Sequence, residues 1–245
     1  MKRALLSCGL IAGPMFIAVS LIQAFTRPGF DLVRHPISLL SLGSLGWLQI
    51  INFVLGGILY VLGAVGLRAA LRPGPGSTWG PLLIGVTGVG LIIAGLFTAD
   101  PGAGFPPGAP AGAPSMSWHG ALHELGFLLS FGGAIAACGV FARRYAALRR
   151  RGRMMAALAT IVAVLVVAGW PDLSSLSVRL VIATAILFGF LTAVFAQVLT
   201  QGPSSQLADQ SVVQRSHYPF DLSRPHKSVR ASFANLSESP GERDG

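Results

Sequence analysis

The chain has 245 residues, of which 52% are hydrophobic and only 11% are charged, and its mean hydropathy is +0.65. Soluble domains carry roughly 25% charged residues, so this composition excludes a soluble globular protein and indicates an integral membrane protein. The formal net charge of +9 does not indicate nucleic-acid binding, because that function needs a basic face on a soluble fold.

Six apolar segments are each long enough to cross a bilayer, which takes about 20 helical residues. We therefore predict an all-α fold, with a bundle of six transmembrane helices in residues 1–200. The four tryptophans fall at the ends of these segments, as is typical of side chains at the membrane–water interface. The predicted spans are residues 4–25, 47–71, 80–99, 119–142, 154–170 and 179–200.

The first segment also has features of a signal peptide, since Lys2 and Arg3 precede an apolar run. That run is longer than the apolar region of a typical signal peptide, and no small-residue cleavage site follows it. We therefore predict that it stays in the protein as a helix.

Lysine and arginine are distributed unevenly between the two sides that six spans define. One side carries ten of these residues, from Lys2 to Arg153, and the other carries only Arg27, Arg34 and Arg179. The positive-inside rule then predicts that the N-terminus and the C-terminus are both cytoplasmic. Abundant Ala, Gly and Arg with little Lys is typical of a GC-rich bacterial source, which makes the plasma membrane the expected location.

The last segment, residues 201–245, differs in composition from the rest of the chain. It is rich in serine and carries five acidic and five basic residues, with almost no apolar periodicity. Such a segment cannot bury enough apolar surface to offset the entropy of ordering. We predict a disordered cytoplasmic tail.

Outside this tail, every acidic residue and every histidine lies on the predicted outer side. Ionisable groups at a bilayer are costly to desolvate and are usually paired or functional. The outer ends of the helices therefore form the candidate site. These residues are Asp31, Asp100, Glu124, Asp172, His35, His119 and His123.

Two sequence features support a site at this surface. His119 and His123 are four residues apart at the start of the fourth span, so their side chains share one helix face. In the first outer loop, His35-Pro36 precedes a short predicted helix in which Ser38 and Ser41 share a face. The loop between the third and fourth spans, residues 101–114, is rich in Pro and Gly and is a candidate lid.

Several short motifs occur along the chain, and in their order they resemble the DUF998 family of six-span membrane proteins. The resemblance covers nearly everything from the first span to the sixth, and it implies an architecture without an established activity. The residues that carry it are His35-Pro36-Ile37-Ser38 with Ser41 and Gly43, Gly46-Trp47 with Gln49, Asn52, Phe53 and Gly57, Phe97 with Asp100-Pro101, and His119-Gly120 with His123.

One serine, one aspartate and three histidines also resemble the zinc-dependent membrane hydrolases of the alkaline ceramidase and adiponectin receptor type. The implied metal ligands are His35, His119 and His123, with Asp100 and Ser38 as catalytic residues. The chain departs from that superfamily, which has seven spans and carries its histidine pair on the last one. The similarity is therefore one of chemistry.

In such a site, three imidazoles would hold zinc with one open position, and the metal-bound hydroxide would attack a lipid-like amide or ester. Asp100 would orient the water or a ligand ring, and Ser38 would donate to the developing oxyanion. The alternative is a nonenzymatic membrane scaffold or sensor in which the same residues form a structural or ligand-binding network. The expected partners are membrane lipids, and the sequence does not indicate an oligomeric state.

Overall fold

The computed structural model describes residues 1–112 and 114–201. The predicted disordered tail lies outside the described residues, except for its first residue. Within the described ranges the chain forms six long α-helices and two short 3₁₀ helices, and it has no strand. The α-helices are α1 (Lys2–Thr26), α2 (Gly46–Leu71), α3 (Trp79–Leu96), α4 (Trp118–Ala147), α5 (Arg151–Gly169) and α6 (Leu176–Thr200), and the 3₁₀ helices are Ile37–Ser41 and Leu173–Ser175.

All six α-helices are long and apolar enough to cross a membrane, which confirms the predicted all-α, six-span architecture of a multi-pass membrane protein. Some helices extend beyond the apolar segments that predicted them. For example, α4 continues through Arg143 and Arg144 to Ala147. Helical hydrogen bonds join backbone groups, so a helix continues into the polar interface when its side chains can reach water.

The helices pack as a ring in chain order, with each helix against the next and α6 against α1. Consecutive spans run in opposite directions, so the bundle has two ends. At one, which we call the His end, α1, α3 and α5 finish and α2, α4 and α6 begin. The opposite end, which we call the basic end, holds the ten predicted cytoplasmic cations.

Reciprocal pairs of glycines join α2, α3 and α4. A Cβ atom at Gly88 would lie 2.6 Å from the carbonyl oxygen of Gly57, and one at Gly126 would lie 2.7 Å from that of Gly90. Lipid gives helices no hydrophobic reason to associate, so close backbone contact supplies the packing energy. These pairs fix α2 against α3 and α3 against α4.

A buried polar network joins α1 to α2 beneath the His end. The Gln23 side-chain amide donates to Gln49 Oε1 at 2.7 Å, and Gln49 Nε2 donates to Ser20 Oγ at 3.1 Å. Asn52 Nδ2 donates to the Phe16 carbonyl at 3.0 Å. Gln49, one of the residues that carry the family resemblance, is thus completely buried at the contact between α1 and α2.

We predict that Gly126→Ala lowers stability by about 1–3 kcal/mol, because the added methyl group forces two tightly packed backbones apart. Gly132 is the matched control, since it lies on the same helix and a Cβ there meets nothing within 4 Å. Gly132→Ala should leave stability unchanged or raise it slightly through helix propensity. The measurement is thermal unfolding in detergent, and equal effects of both substitutions would contradict the packing model.

Candidate functional site

Two loops cover the His end, residues 27–45 and 97–117, and together we call them the cap. The cap has a small hydrophobic core of its own, in which Leu39, Ala99 and Phe105 are buried. The Phe105 ring packs edge-on against Phe30, with ring centroids 5.2 Å apart. Phe105 thus anchors the Pro- and Gly-rich loop to the first outer loop.

Arg27 fixes the short 3₁₀ helix of the cap. Its guanidinium donates to the carbonyl oxygens of Leu40 at 2.6 Å and Leu42 at 2.8 Å, which lie at the end of that helix. The guanidinium also lies over the Phe105 ring, 6.0 Å from its centroid. Burial lowers the pKa of Arg27 below its ordinary value, but an arginine stays charged under all ordinary conditions.

His35 is buried inside the cap, and both of its ring nitrogens have backbone partners. Nδ1 accepts from the backbone N–H of Asp31 at 2.8 Å, and Nε2 lies 3.1 Å from the carbonyl oxygen of Ala103. The first contact requires a lone pair on Nδ1 and the second requires a proton on Nε2. In this geometry, His35 links the two loops of the cap, and neither nitrogen is free for a metal ion.

Asp100 joins the end of α3 to the start of α4. Its carboxylate accepts from the backbone N–H of Ser117 at 2.7 Å and from the Ser117 hydroxyl at 2.6 Å. Ser117 in turn caps α4 by accepting from Gly120 N at 3.1 Å. A Cβ atom at Gly120 would overlap the Asp100 carboxylate. These hydrogen bonds lower the pKa of Asp100, the one from the Ser117 side chain most of all.

His119 and His123 both reach carbonyl oxygens at or just beyond the C-terminus of α3, so they share one face of α4 as predicted. Nδ1 of His119 lies 3.1 Å from the Thr98 carbonyl oxygen. Nδ1 of His123 lies 2.9 Å from the carbonyl oxygens of both Ala94 and Phe97. The last carbonyls of a helix have no partner within the helix, and these rings supply one.

The structure separates the three predicted metal ligands. His35 lies in the cap, His119 lies 3.7 Å from Asp100, and His123 is buried against Phe53 with ring centroids 6.0 Å apart. Among the described residues, no group of three or more His, Cys, Asp or Glu side chains is placed to hold a metal ion. Zinc binding and the catalytic roles of Asp100 and Ser38 stay predictions.

His123 and Ser38 line the same cavity, which has a volume of about 170 Å³ and lies at the His end. The cavity lies between α4 and α6, with α1, α2 and α3 behind it and the 3₁₀ helix of the cap above it. Its wall is largely apolar and contains five phenylalanines, which are Phe16, Phe53, Phe127, Phe131 and Phe188. The polar residues of the wall are Ser38, His123, Glu124, Ser130, Ser177 and Thr184.

The hydrogen bonds of His123 determine what its ring offers to this cavity. Because Nδ1 faces two carbonyl oxygens, it carries the proton, and in the neutral ring Nε2 keeps a lone pair. Glu124, which is exposed, adds carboxylate oxygens at the edge of the cavity. This edge is therefore rich in hydrogen-bond acceptors.

The sequence analysis missed most of the cavity wall. On α4 a helical period would have revealed it, because Phe127 and Ser130 follow His123 by four and seven residues and share its face. The contribution of α6 had no such signal. Serine and threonine are common in apolar helices, so Ser177 and Thr184 do not stand out in the sequence. The packing of the helices in a ring places them opposite α4.

We predict that Asp100→Asn lowers the midpoint of thermal unfolding by about 2–4 °C, because one of its two hydrogen bonds from Ser117 is lost. Because the pKa of Asp100 is lowered in the folded state, its carboxylate contributes in full to the free energy of unfolding at pH values above its ordinary pKa of 3.8. The contribution is lost as the pH falls through the lowered pKa of the folded state. The difference between wild type and variant should be constant between about pH 5 and 8 and shrink below 3.8.

The control is Glu124→Gln, which neutralises an exposed carboxylate at the same end of the bundle. It should change the unfolding midpoint little. A loss as large as that of Asp100→Asn would show that charge at the His end, and not the contact with Ser117, supplies the stability.

The model of one family, described as "Protein of unknown function (DUF998)", matches residues 10–195. No curated protein and no solved structure matches the chain. The matched region begins in α1 and ends in α6, so it includes the ring of helices, the cap and the cavity. The chain belongs to the DUF998 family of membrane proteins.

Proposed function

We propose that this protein binds an amphipathic, lipid-like molecule in the cavity between α4 and α6. The observation that carries the proposal is a largely apolar cavity wall that holds a few polar groups. Five phenylalanines line the cavity, and Ser38, His123 and Glu124 are the polar groups nearest the cap. Small-molecule sites typically combine an apolar lining with a few polar groups that orient the ligand.

The size of the cavity supports a chain-like ligand that is only partly enclosed. Its volume of about 170 Å³ is near the ~150 Å³ of an engineered cavity that holds one benzene molecule. Phe127 and Phe131 on α4 and Leu180 and Thr184 on α6 are only half-buried, so the cavity extends toward the lipid-facing surface. A hydrocarbon chain can enter there without leaving an apolar environment.

The acceptors at the edge favour a head group that donates hydrogen bonds. Glu124 offers carboxylate oxygens, and the His123 ring, whose Nδ1 faces two carbonyl oxygens, offers the lone pair of Nε2. A protonated amine head group can donate to both acceptors and a hydroxyl to one of them, whereas a carboxylate head group is repelled by Glu124. We therefore assign the ligand to long-chain alcohols or amines.

Hydrolysis of a lipid-like amide or ester, with or without zinc, is the second candidate function that the sequence predicted. The presence of both Ser38 and His123 in the cavity wall is compatible with it. Both oxygens of the Asp100 carboxylate accept hydrogen bonds from Ser117, so the geometry favours binding over that reaction.

We also infer that the His end faces the outside of the plasma membrane and that both termini are cytoplasmic. The support is the count of ten cations against three and the rule that cations accumulate on the cytoplasmic side. This orientation opens the cavity to the outer leaflet.

The ligand prediction is tested with two photoactivatable probes of equal chain length in lipid nanodiscs, a long-chain amine and the matching fatty acid. We expect the amine to label peptides from α4 and α6 that line the cavity, about tenfold more than the fatty acid does. Glu124→Gln should remove most of this preference, because it removes the repelling charge. Labelling is located and counted by peptide mass spectrometry.

A matched pair on α6 separates the cavity from the general lipid surface. Thr184→Phe places a ring in the cavity wall, whereas Ile182→Phe changes an exposed residue outside the wall. Thr184→Phe should reduce labelling about tenfold and Ile182→Phe should not. Uniform labelling of all lipid-facing helices in every variant would sink the binding proposal. Zinc in the same samples, measured by elemental mass spectrometry, would support the second candidate function, a metal-dependent hydrolase.

The topology prediction uses single cysteines at exposed positions on opposite ends, Ala111→Cys in the cap and Ala147→Cys at the end of α4. A membrane-impermeant maleimide applied to intact cells should label the first and spare the second until the cells are opened. The parent chain, with Cys8 and Cys138 within α1 and α4, is the control. The reverse labelling pattern would invert the orientation.

A further inference from the structure

A second site lies at the basic end, away from the cavity. We propose that a crevice between α4, α5 and α6 binds a phosphate group, presented by an anionic phospholipid head group or by a soluble phosphate compound. The crevice is lined by Arg144, Tyr145, Arg150 and Arg153 from α4, α5 and their connection, and by Gln197 from α6. This inference is independent of the ligand proposed for the His end.

Arg153 provides the observation that points to a ligand. Its Nη1 atom is buried and has no hydrogen-bond partner among the described residues. A buried cationic N–H group without a partner is costly, and an arginine fork matches the geometry of phosphate oxygens. A phosphate oxygen at this point would satisfy the atom.

The neighbouring groups are held in place by other contacts. Arg144 Nη1 donates to the Pro75 carbonyl at 2.6 Å, and Tyr145 Oη donates to Gln197 Oε1 at 2.8 Å. The backbone N–H of Arg150 donates to the Tyr145 carbonyl at 2.8 Å. The crevice therefore has a fixed frame, and binding there costs little conformational entropy.

The electrostatics of this end favour an anion. All four acidic residues of the described part of the chain (Asp31, Asp100, Glu124 and Asp172) belong to the His end, and ten cations belong to the basic end. Arg153 lies in the first turn of α5, where the helix dipole adds positive potential. Basic pockets between transmembrane helices at this depth commonly bind lipid head groups.

The size of the crevice determines how a phosphate group would bind. Its volume is about 10 Å³, close to the room that one water molecule needs. One phosphate oxygen can enter and reach Arg153, while the other oxygens stay at the membrane surface near Arg150. A lipid bound in this way keeps its acyl chains in the bilayer.

The test uses the full-length protein, purified in neutral detergent and depleted of lipid. Dioleoyl phosphatidylglycerol is added, and native mass spectrometry measures how many lipids remain bound and how tightly. We expect one tightly held lipid, with affinity reduced about tenfold or more in Arg153→Gln through loss of a charge-assisted hydrogen bond. Arg153→Lys keeps the charge without the fork and should bind with intermediate affinity.

Arg151→Gln is the matched control, because Arg151 is exposed, lies two residues away and does not line the crevice. It makes the same change in net charge and should leave the affinity unchanged. Equal weakening in Arg151→Gln and Arg153→Gln, or no tightly held lipid in wild type, would overturn the proposal. If Arg153→Gln fails to fold, unchanged affinity in Arg153→Lys would overturn it as well.

Competition with inorganic phosphate distinguishes the two sources of the phosphate group. If excess phosphate leaves the lipid bound, the lipid head group is the ligand, because its acyl chains add affinity that free phosphate lacks. If phosphate displaces the lipid from wild type, and raises the thermal stability of wild type but not of Arg153→Gln, the site takes a soluble phosphate compound. Both results retain the assignment of Arg153.

Discussion

The contact between the end of α3 and the start of α4 is the interaction on which the His end depends. Asp100 accepts both polar hydrogens of Ser117. His123 contacts a carbonyl in the last turn of α3, and His119 contacts the Thr98 carbonyl just beyond it. A helix end in or near a membrane must find partners for its free backbone groups. Here a few neighbouring side chains supply hydrogen-bond partners for the free backbone groups at the N-terminus of α4 and near the C-terminus of α3. These contacts hold His123 in its place in the cavity wall.

The six spans could be predicted because each depends on a local property of the chain. A run of about 20 apolar residues can only be a helix when it crosses lipid, and the helix bounds differ from the prediction mainly where charged residues extend a helix at the interface. The shared face of His119 and His123 was predictable for the same reason, since it follows from helical geometry alone.

The partners of the site residues could not be predicted, because they lie far away in sequence. His35 accepts from Asp31, which is near, but its other nitrogen meets Ala103 across the cap. From residue types alone, three histidines and an aspartate fit a metal centre. In the structure, backbone carbonyl oxygens near the end of α3 and in the cap bind the histidine ring nitrogens that a metal ion would need. Which backbone groups lie next to a side chain cannot be read from the sequence. The burial of Gln49 could not be predicted for a related reason, since its amide partners lie on α1.

The close glycine contacts are also distributed unevenly over the bundle. Backbone contacts of this kind connect α1 through α4, as Gly9 and Gly63, Gly57 and Gly88, and Gly90 and Gly126 show. The glycines of α5, Gly152 and Gly169, meet nothing within 4 Å, and only Ala157 and Val164 of that helix are buried. The first four helices are thus joined by close backbone contacts that α5 lacks, and displacement of α5 from the bundle breaks none of them.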